Sequence, residues 1–199
     1  MKTFTNKYKE NKRINFVGDY QIQNKEVCND MILFFEKNKS LHKTGKFGDY
    51  ETDLKKKDST ELTISPNQLE DSKYQIFKIY FKYLRDCFDR YQEEWPFIKH
   101  IQSLGIGSFH LQKYDINGHY NSWHTERDSI RNSERVLAFM TYLNDIEKNG
   151  ETEFLHYNIK IKPKTGRTII WPSEWTHVHR GLPTPEKEKY IITGWIKFI

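Results

Sequence analysis

Residues 109–126, FHLQKYDINGHYNSWHTE, set two short alternating segments on either side of the dipeptide Asn117-Gly118. Successive strand side chains face opposite ways, so a period of two marks one buried face, and Asn-Gly favours the turn that reverses such a strand. The same pattern extends outward. From about Gly105, short segments recur every ten residues or so: Phe109–Tyr114, Trp123–Glu126, Val136–Tyr142, Glu151–Phe154, Ile159–Ile161, Arg167–Trp171, Thr176–His179 and Tyr190–Phe198. Asn149-Gly150, Thr165-Gly166, Pro183 and Pro185 punctuate them. Regular short strands with turn chemistry between them predict an all-β sandwich or barrel, a jelly roll, for this half.

The first hundred residues follow a different period. Asn24 is positioned to cap a helix running to about Asn38, with Val27, Cys28, Met31, Ile32 and Phe35 at helical spacing. A loop rich in Lys, Gly and Asp is expected from Ser40 to Thr60. A longer helix is predicted from about Ser72 to Trp95, with Ile76, Ile79, Tyr80, Tyr83, Leu84, Cys87 and Tyr91 on one face and Pro96 ending it. Both apolar faces need a partner, and the sheet of the second half supplies one. No fixed repeat and no interdomain linker interrupts the chain. The expected fold is therefore mainly β with N-terminal helices. It is one domain over 1–199, with a helical support region at 1–104 and a jelly-roll core at 105–199.

Composition narrows the class. The chain has 199 residues, 36% hydrophobic and 15% aromatic, with only 10 Gly and 6 Pro, which excludes global disorder and suits one aromatic-rich core. No apolar run is longer than five residues, as in Met31–Phe35, far too short to span a bilayer, and no apolar stretch follows the basic start as in a secretory signal. A soluble, cytoplasmic protein with no membrane partner is the expectation. Its net charge of +5 is spread along the chain rather than gathered in a stripe, which argues against a nucleic-acid partner. Cys28 and Cys87 have no CxxC neighbour and read as two reduced, packed thiols.

The histidines carry the chemical signal. Of the eight, only His42 and His100 precede residue 105; His110, His119, His124, His156, His177 and His179 all fall in the β half. In His124-Thr125-Glu126 the first and third side chains of a strand share a face, so an imidazole and a carboxylate can meet on one ion. His177 and His179 are also two apart. Two His and one carboxylate holding one side of an octahedral ion make the open site of non-haem Fe(II) oxygenases. A closed four-ligand zinc site that uses both distal histidines is the competing metal reading.

Several motifs now fall in a known order: QKYDINGHYNSWHTER, then RVLAFMTYLNDIEKNGETEF, KPKTGRTIIWP and WTHVHRGLPTPEKEKYIITGW. Over residues 109–198 the sequence resembles the 2-oxoglutarate/Fe(II) dioxygenases, specifically their prolyl 4-hydroxylase-like branch. The resemblance implies a double-stranded β-helix (jelly roll) core with His124, Glu126 and His179 as iron ligands. His179 is preferred to His177 because His179-Arg180-Gly181 and the ten steps to Lys189 match the family pattern. It further implies Lys189 as the cation for the far carboxylate of 2-oxoglutarate, with Tyr142 and Thr193 as further donors and Tyr114 lining the pocket. Fe(II), 2-oxoglutarate and O2, with ascorbate as accessory, are the implied cofactors and cosubstrates. Two positions depart from the usual pattern: Glu126 replaces an aspartate, and Asn149-Gly150 replaces Gly-Gly.

The implied activity is hydroxylation of a C–H bond, most simply on a prolyl or other peptidyl residue, with release of succinate and CO2. A hydroxylase of a free amino acid, small metabolite or nucleobase is the alternative within the enzyme class. A non-catalytic metal-binding jelly-roll protein is the alternative outside it. Trp195 is expected in the core, although its position in the family borders the cosubstrate pocket; His110 and His156 are expected as structural, and His119, Tyr120 and Trp123 near the mouth. Arg127 and the loop 128–134 are read either as a substrate-facing lid or as an ordinary connection. Oligomeric state and substrate identity have no sequence signal.

Overall fold

The computed structural model describes residues 15–46 and 52–199. The basic start of the chain and the middle of the predicted Ser40–Thr60 loop lie outside the described residues. The first half forms β1 (Gly18–Gln21), α1 (Glu26–Lys37), β2 (Lys43–Thr44), β3 (Lys57–Asp58), β4 (Thr60–Ile64) and α2 (Gln75–Glu94). The second half forms β5 (Leu104–Ile106), β6 (Phe109–Tyr114), β7 (His119–His124), β8 (Arg135–Tyr142) and β9 (Thr152–Phe154). It continues with β10 (Ile159–Ile161), β11 (Arg167–Pro172), β12 (His179–Gly181) and β13 (Lys189–Phe198).

All strand pairs are antiparallel, in two sheets. The larger runs β1-β11-β8-β13-β6-β4-β2, with β5 also on β13; the smaller runs β10-β9-β12-β7-β3. The period-two pattern does what the sequence implied. On β8, Leu137 and Phe139 face the helices, while Ala138, Met140 and Tyr142 belong to the second core cluster. Ile170 against Ile169 and Trp171 on β11, and Ile192 against Ile191 on β13, divide the same way. A polar stitch crosses the helix side: the Tyr80 hydroxyl on α2 meets Thr141 Oγ1 at 2.9 Å, and Thr141 meets Thr168 Oγ1 at 2.7 Å.

Several expectations need correction. The first half is not only a helical support: β1 and the β4–β2 pair flank the two ends of the larger sheet, and β3 ends the smaller one. β4 buries Leu62 and Ile64 in the core, whereas the two-residue strands β2 and β3 are held by backbone pairing. On α2 the buried face is Phe77, Tyr80, Leu84, Cys87 and Tyr91, and Ile79 is 38% exposed. The helix begins at Gln75, after a 3-10 turn at Ser72–Tyr74. Asn24 stands outside α1, its Oδ1 accepting from the Glu26 amide at 2.8 Å. Cys28 and Cys87 are buried free thiols, and burial pushes Cys28 up to about 12. Among the described residues no helix is long and apolar enough to cross a membrane.

Candidate metal centre and its cavity

His124 ends β7 and His179 opens β12, and the two are register partners across that pair. Each imidazole has one nitrogen committed to backbone: His124 Nδ1 lies 2.9 Å from Ser122 O, and His179 Nδ1 lies 2.9 Å from His177 O. With Nδ1–H donating, each Nε2 is left with a lone pair for an ion, the usual second contact of a ligating histidine. Glu126 sits just past the end of β7. The neighbouring Thr125 hydroxyl and Arg127 amide donate to Ser173 O at 2.8 and 2.9 Å. Arg135 Nη1 donates to Glu126 O at 2.8 Å, and Trp195 Nε1 donates to Glu126 Oε2 at 2.8 Å. Glu126 Oε1 is 3.2 Å from His179 Nε2.

Among the described residues, His124, Glu126 and His179 form a group whose potential ligand atoms all lie within 4.8 Å of one another. Burial, aided by His179 and opposed by Glu126, brings the His124 imidazole down to about 3, so it is a neutral donor. Burial pushes the Glu126 carboxyl up. The bond and charge of His179, with His124 and the Trp195 N–H, outweigh it and hold the group well below the usual carboxylate range. Two imidazoles and one carboxylate gathered on one side match the donor set of an open Fe(II) site.

His177 is not in this group. It lies in a 3-10 turn, Trp175–His177, so the strand alternation that would align it with His179 does not apply. Its Nε2 meets Asn15 O at 2.8 Å and its Nδ1 meets Thr176 Oγ1 at 2.9 Å, which leaves no nitrogen for an ion.

The triad opens on a cavity of about 710 Å³ that Lys189, Tyr114, Tyr142 and Thr193 also line. Lys189, 3% exposed, donates to Gly150 O at 3.1 Å and Leu182 O at 3.2 Å. Burial lowers its ammonium to about 8, with Glu151 pulling the other way. A buried cation bonded to two neutral carbonyls, one of its three N–H groups to spare, is a receptor for an anion. Its Nζ stands 4.7 Å over the Tyr114 ring. The three hydroxyls are already engaged: Tyr114 with Gln112 Oε1 at 2.8 Å, Tyr142 with Thr152 Oγ1 at 2.6 Å, and Thr193 with Phe139 O at 2.9 Å.

Further residues line or brace the cavity, some of them, His110, Arg135 and Lys57, not anticipated from the sequence. Trp195, expected in the core, lines the cavity and bonds Glu126. His110, expected as structural, also lines it, its Nδ1 3.0 Å from Thr63 Oγ1. Arg135 stacks on Trp195 at 3.6 Å. Lys57, 5% exposed, pairs with Glu61, which also accepts from Gln112. Tyr120 stacks on His124 with ring centroids 3.7 Å apart, and Trp123 stands at the rim. His156 packs edge-on to Trp175. Arg127 is tied to Glu174 and Ser133 O, and Asn132 knits Asp128 to Ser129, so this stretch is cross-linked, and Asp128 and Asn132 also line the cavity.

Residues 109–197 match the family model described as the 2OG-Fe(II) oxygenase superfamily. The match covers under half of the chain, and over that segment the sequence is similar to this superfamily. Curated relatives similar to this chain include prolyl 4-hydroxylases, the branch that the motifs resemble. Prolyl 4-hydroxylase 13 of Arabidopsis thaliana is 29% identical over 121 residues, 49% of this chain and 43% of the relative. The chain spans under half the length of the first curated relatives it matches. Two solved structures share the fold. The viral collagen prolyl hydroxylase of Paramecium Bursaria Chlorella virus-1, in its 2OG complex, aligns with TM-score 0.69 and 19% identity over 93% of this chain and 97% of its own. A Trichoplax adhaerens prolyl hydroxylase, solved with a hypoxia inducible factor peptide, aligns with TM-score 0.71 and 15% identity over 92% and 84%.

Proposed function

We propose that this chain is a 2-oxoglutarate- and Fe(II)-dependent hydroxylase acting on a prolyl or other peptidyl residue. The observation that carries the proposal is one cavity with an open-sided His124–Glu126–His179 cluster and, in the same walls, the buried cation Lys189. The named activities of the relatives support it: prolyl 4-hydroxylases in the sequence comparison, and a prolyl hydroxylase with a bound peptide among the structures. In this reading the two sheets are a double-stranded β-helix, the chain is a single domain over 1–199, and its location is cytoplasmic.

When bound, Fe(II) with 2-oxoglutarate and O2 would supply an oxidant able to attack an unactivated C–H bond, with release of succinate and CO2. His124 and His179 would hold the ion through Nε2, and Glu126 through Oε1. Lys189 would hold the far carboxylate of the cosubstrate, replacing water with a fixed charge in a dry pocket. Tyr114 would form the wall beneath that ammonium, and the Tyr142 and Thr193 hydroxyls would accept reorientation toward the same carboxylate. Tyr120 and Trp123 offer flat apolar faces at the mouth for a peptide segment. Ascorbate is a proposed accessory reductant.

The test is succinate release from 2-oxoglutarate with Fe(II) across a panel of proline-containing peptides, free amino acids and nucleosides. Turnover coupled to peptides alone supports the proposal, and coupling to the free metabolites alone moves the activity to the alternative class. Absence of a visible charge-transfer band when 2-oxoglutarate is added anaerobically to the Fe(II)-loaded protein overturns the oxygenase reading altogether.

A further inference from the structure

We propose that Trp195 is a positioning residue for Glu126, and that the glutamate of this chain serves as a single-oxygen ligand because the indole holds its other oxygen. This rests on reading His124, Glu126 and His179 as the metal ligands. Glu126 lies beyond the last residue of β7, so no sheet ladder fixes it. A glutamate side chain also carries one more rotatable bond than aspartate, and so more freedom to lose when it binds. In the structure its two oxygens are already divided. Oε1 faces His179 Nε2 at 3.2 Å, and Oε2 accepts from Trp195 Nε1 at 2.8 Å. An indole N–H is a donor only, so it restrains one oxygen without competing for the ion.

Trp195 is itself held. It stands opposite Ala138 in the register of β13 with β8, inside the larger sheet. The Arg135 guanidinium covers its ring at 3.6 Å, and the His110 ring meets it edge-on at 5.5 Å. Arg135 Nη1 also donates to Glu126 O at 2.8 Å. One guanidinium thus fixes both the backbone of Glu126 and the indole that fixes its carboxylate. The extra methylene relative to aspartate is what lets the carboxylate lie between His179 and Trp195.

The experiment is titration of the full chain with Co(II), reading both affinity and the visible ligand-field spectrum. Trp195→Phe keeps the ring and removes the N–H; it is expected to weaken Co(II) binding roughly 10–100-fold and to change the spectrum, with far-UV dichroism unchanged. Glu126→Asp draws the carboxylate away from the indole and is expected to weaken binding by at least about tenfold, although aspartate is the commoner residue in this family. In the Glu126→Asp background, Trp195→Phe should add no further loss. The inference is overturned if Trp195→Phe binds within about twofold of the parent with the same spectrum, or if the two losses multiply. Should Trp195→Phe fail to fold, Glu126→Asp decides alone, and unchanged affinity overturns the inference. A parent protein that binds no Co(II) overturns the metal reading with it, whereas a parent that binds and variants that bind equally overturn the Trp195 role only.

Discussion

His124 and His179 are register partners across β7 and β12, their ring centroids 4.3 Å apart, and each Nδ1 meets the carbonyl two residues before it in the chain. Both imidazoles are thus aimed by main-chain carbonyls, one within β7 and one in the 3-10 turn that leads into β12. Four predictions follow from this arrangement and from the walls around it.

Removing either ring should cost more metal affinity than losing its support. His124→Ala and His179→Ala are each expected to weaken Co(II) or Fe(II) binding by more than about 100-fold, beyond the roughly 10–100-fold typical of outer-shell changes. His177→Ala should leave affinity within a few-fold. It should still lower stability by about 1–2 kcal/mol, because the buried His177 ring bonds Asn15 O. Calorimetric metal titration and urea denaturation separate the two effects.

Lys189 makes cosubstrate binding depend on pH. Its folded-state ammonium titrates at about 8, below the ordinary lysine value, because burial disfavours the charge. A bound carboxylate would stabilise the charged form, so binding is fully supported below about pH 8 and weakens above it, by up to about tenfold per unit. Lys189→Met should abolish this slope together with 2-oxoglutarate binding, while metal content persists. The same depression makes the native state less stable below about pH 8 than above lysine's usual range. Lys189→Met is therefore expected to raise stability at pH 7 by about 1–3 kcal/mol. Isothermal titration across pH 6.5–9.5 checks the binding slope.

The Asn149-Gly150 turn should be asymmetric in its tolerance. Both residues have positive φ, +58° and +77°. A Cβ on Gly150 would also meet Ile146 Cγ2 at 3.2 Å. Gly150→Ala is expected to destabilise by about 1–2 kcal/mol and to weaken 2-oxoglutarate binding, since Gly150 O holds Lys189. Asn149→Gly should be neutral to within about 0.5 kcal/mol, because asparagine already tolerates this backbone. Chemical denaturation midpoints decide the comparison.

Tyr80→Phe tests how α2 is docked. It strands the Thr141 side of a buried hydroxyl chain that ends on Thr168. A loss of about 1–2 kcal/mol is expected, with metal binding unchanged, measured by thermal denaturation and Co(II) titration.

What could be read from the chain follows from how each residue is held. β6, β8, β11 and β13 were legible because their alternation is strong: Leu137 and Phe139 on one side of β8 and Ala138, Met140 and Tyr142 on the other. β2 and β3 have two residues each and exist through backbone pairing with β4 and β7, so no side-chain pattern announces them. Lys57 reads as a surface lysine, and only its fold places it beside Glu61. The proximity of His124, Glu126 and His179 was legible from spacing together with family resemblance. The preference for His179 over His177 came from the family spacing alone, because strand alternation groups the two and the 3-10 turn that parts them has no side-chain signal. The place of Trp195 beside the pocket was legible only from the resemblance, and its bond to Glu126, 69 positions away in the chain, was not.

The strands contributed by the first half have a practical corollary. Cutting the polypeptide just ahead of Leu104 would bare the outer backbone rows of β11 and β6, strip β7 of β3, and uncover the greasy back of the larger sheet. Such a fragment would offer ready templates for intermolecular pairing and should precipitate rather than fold. The stretch that the family model matches is therefore expected to need the upstream residues in any excision or domain graft.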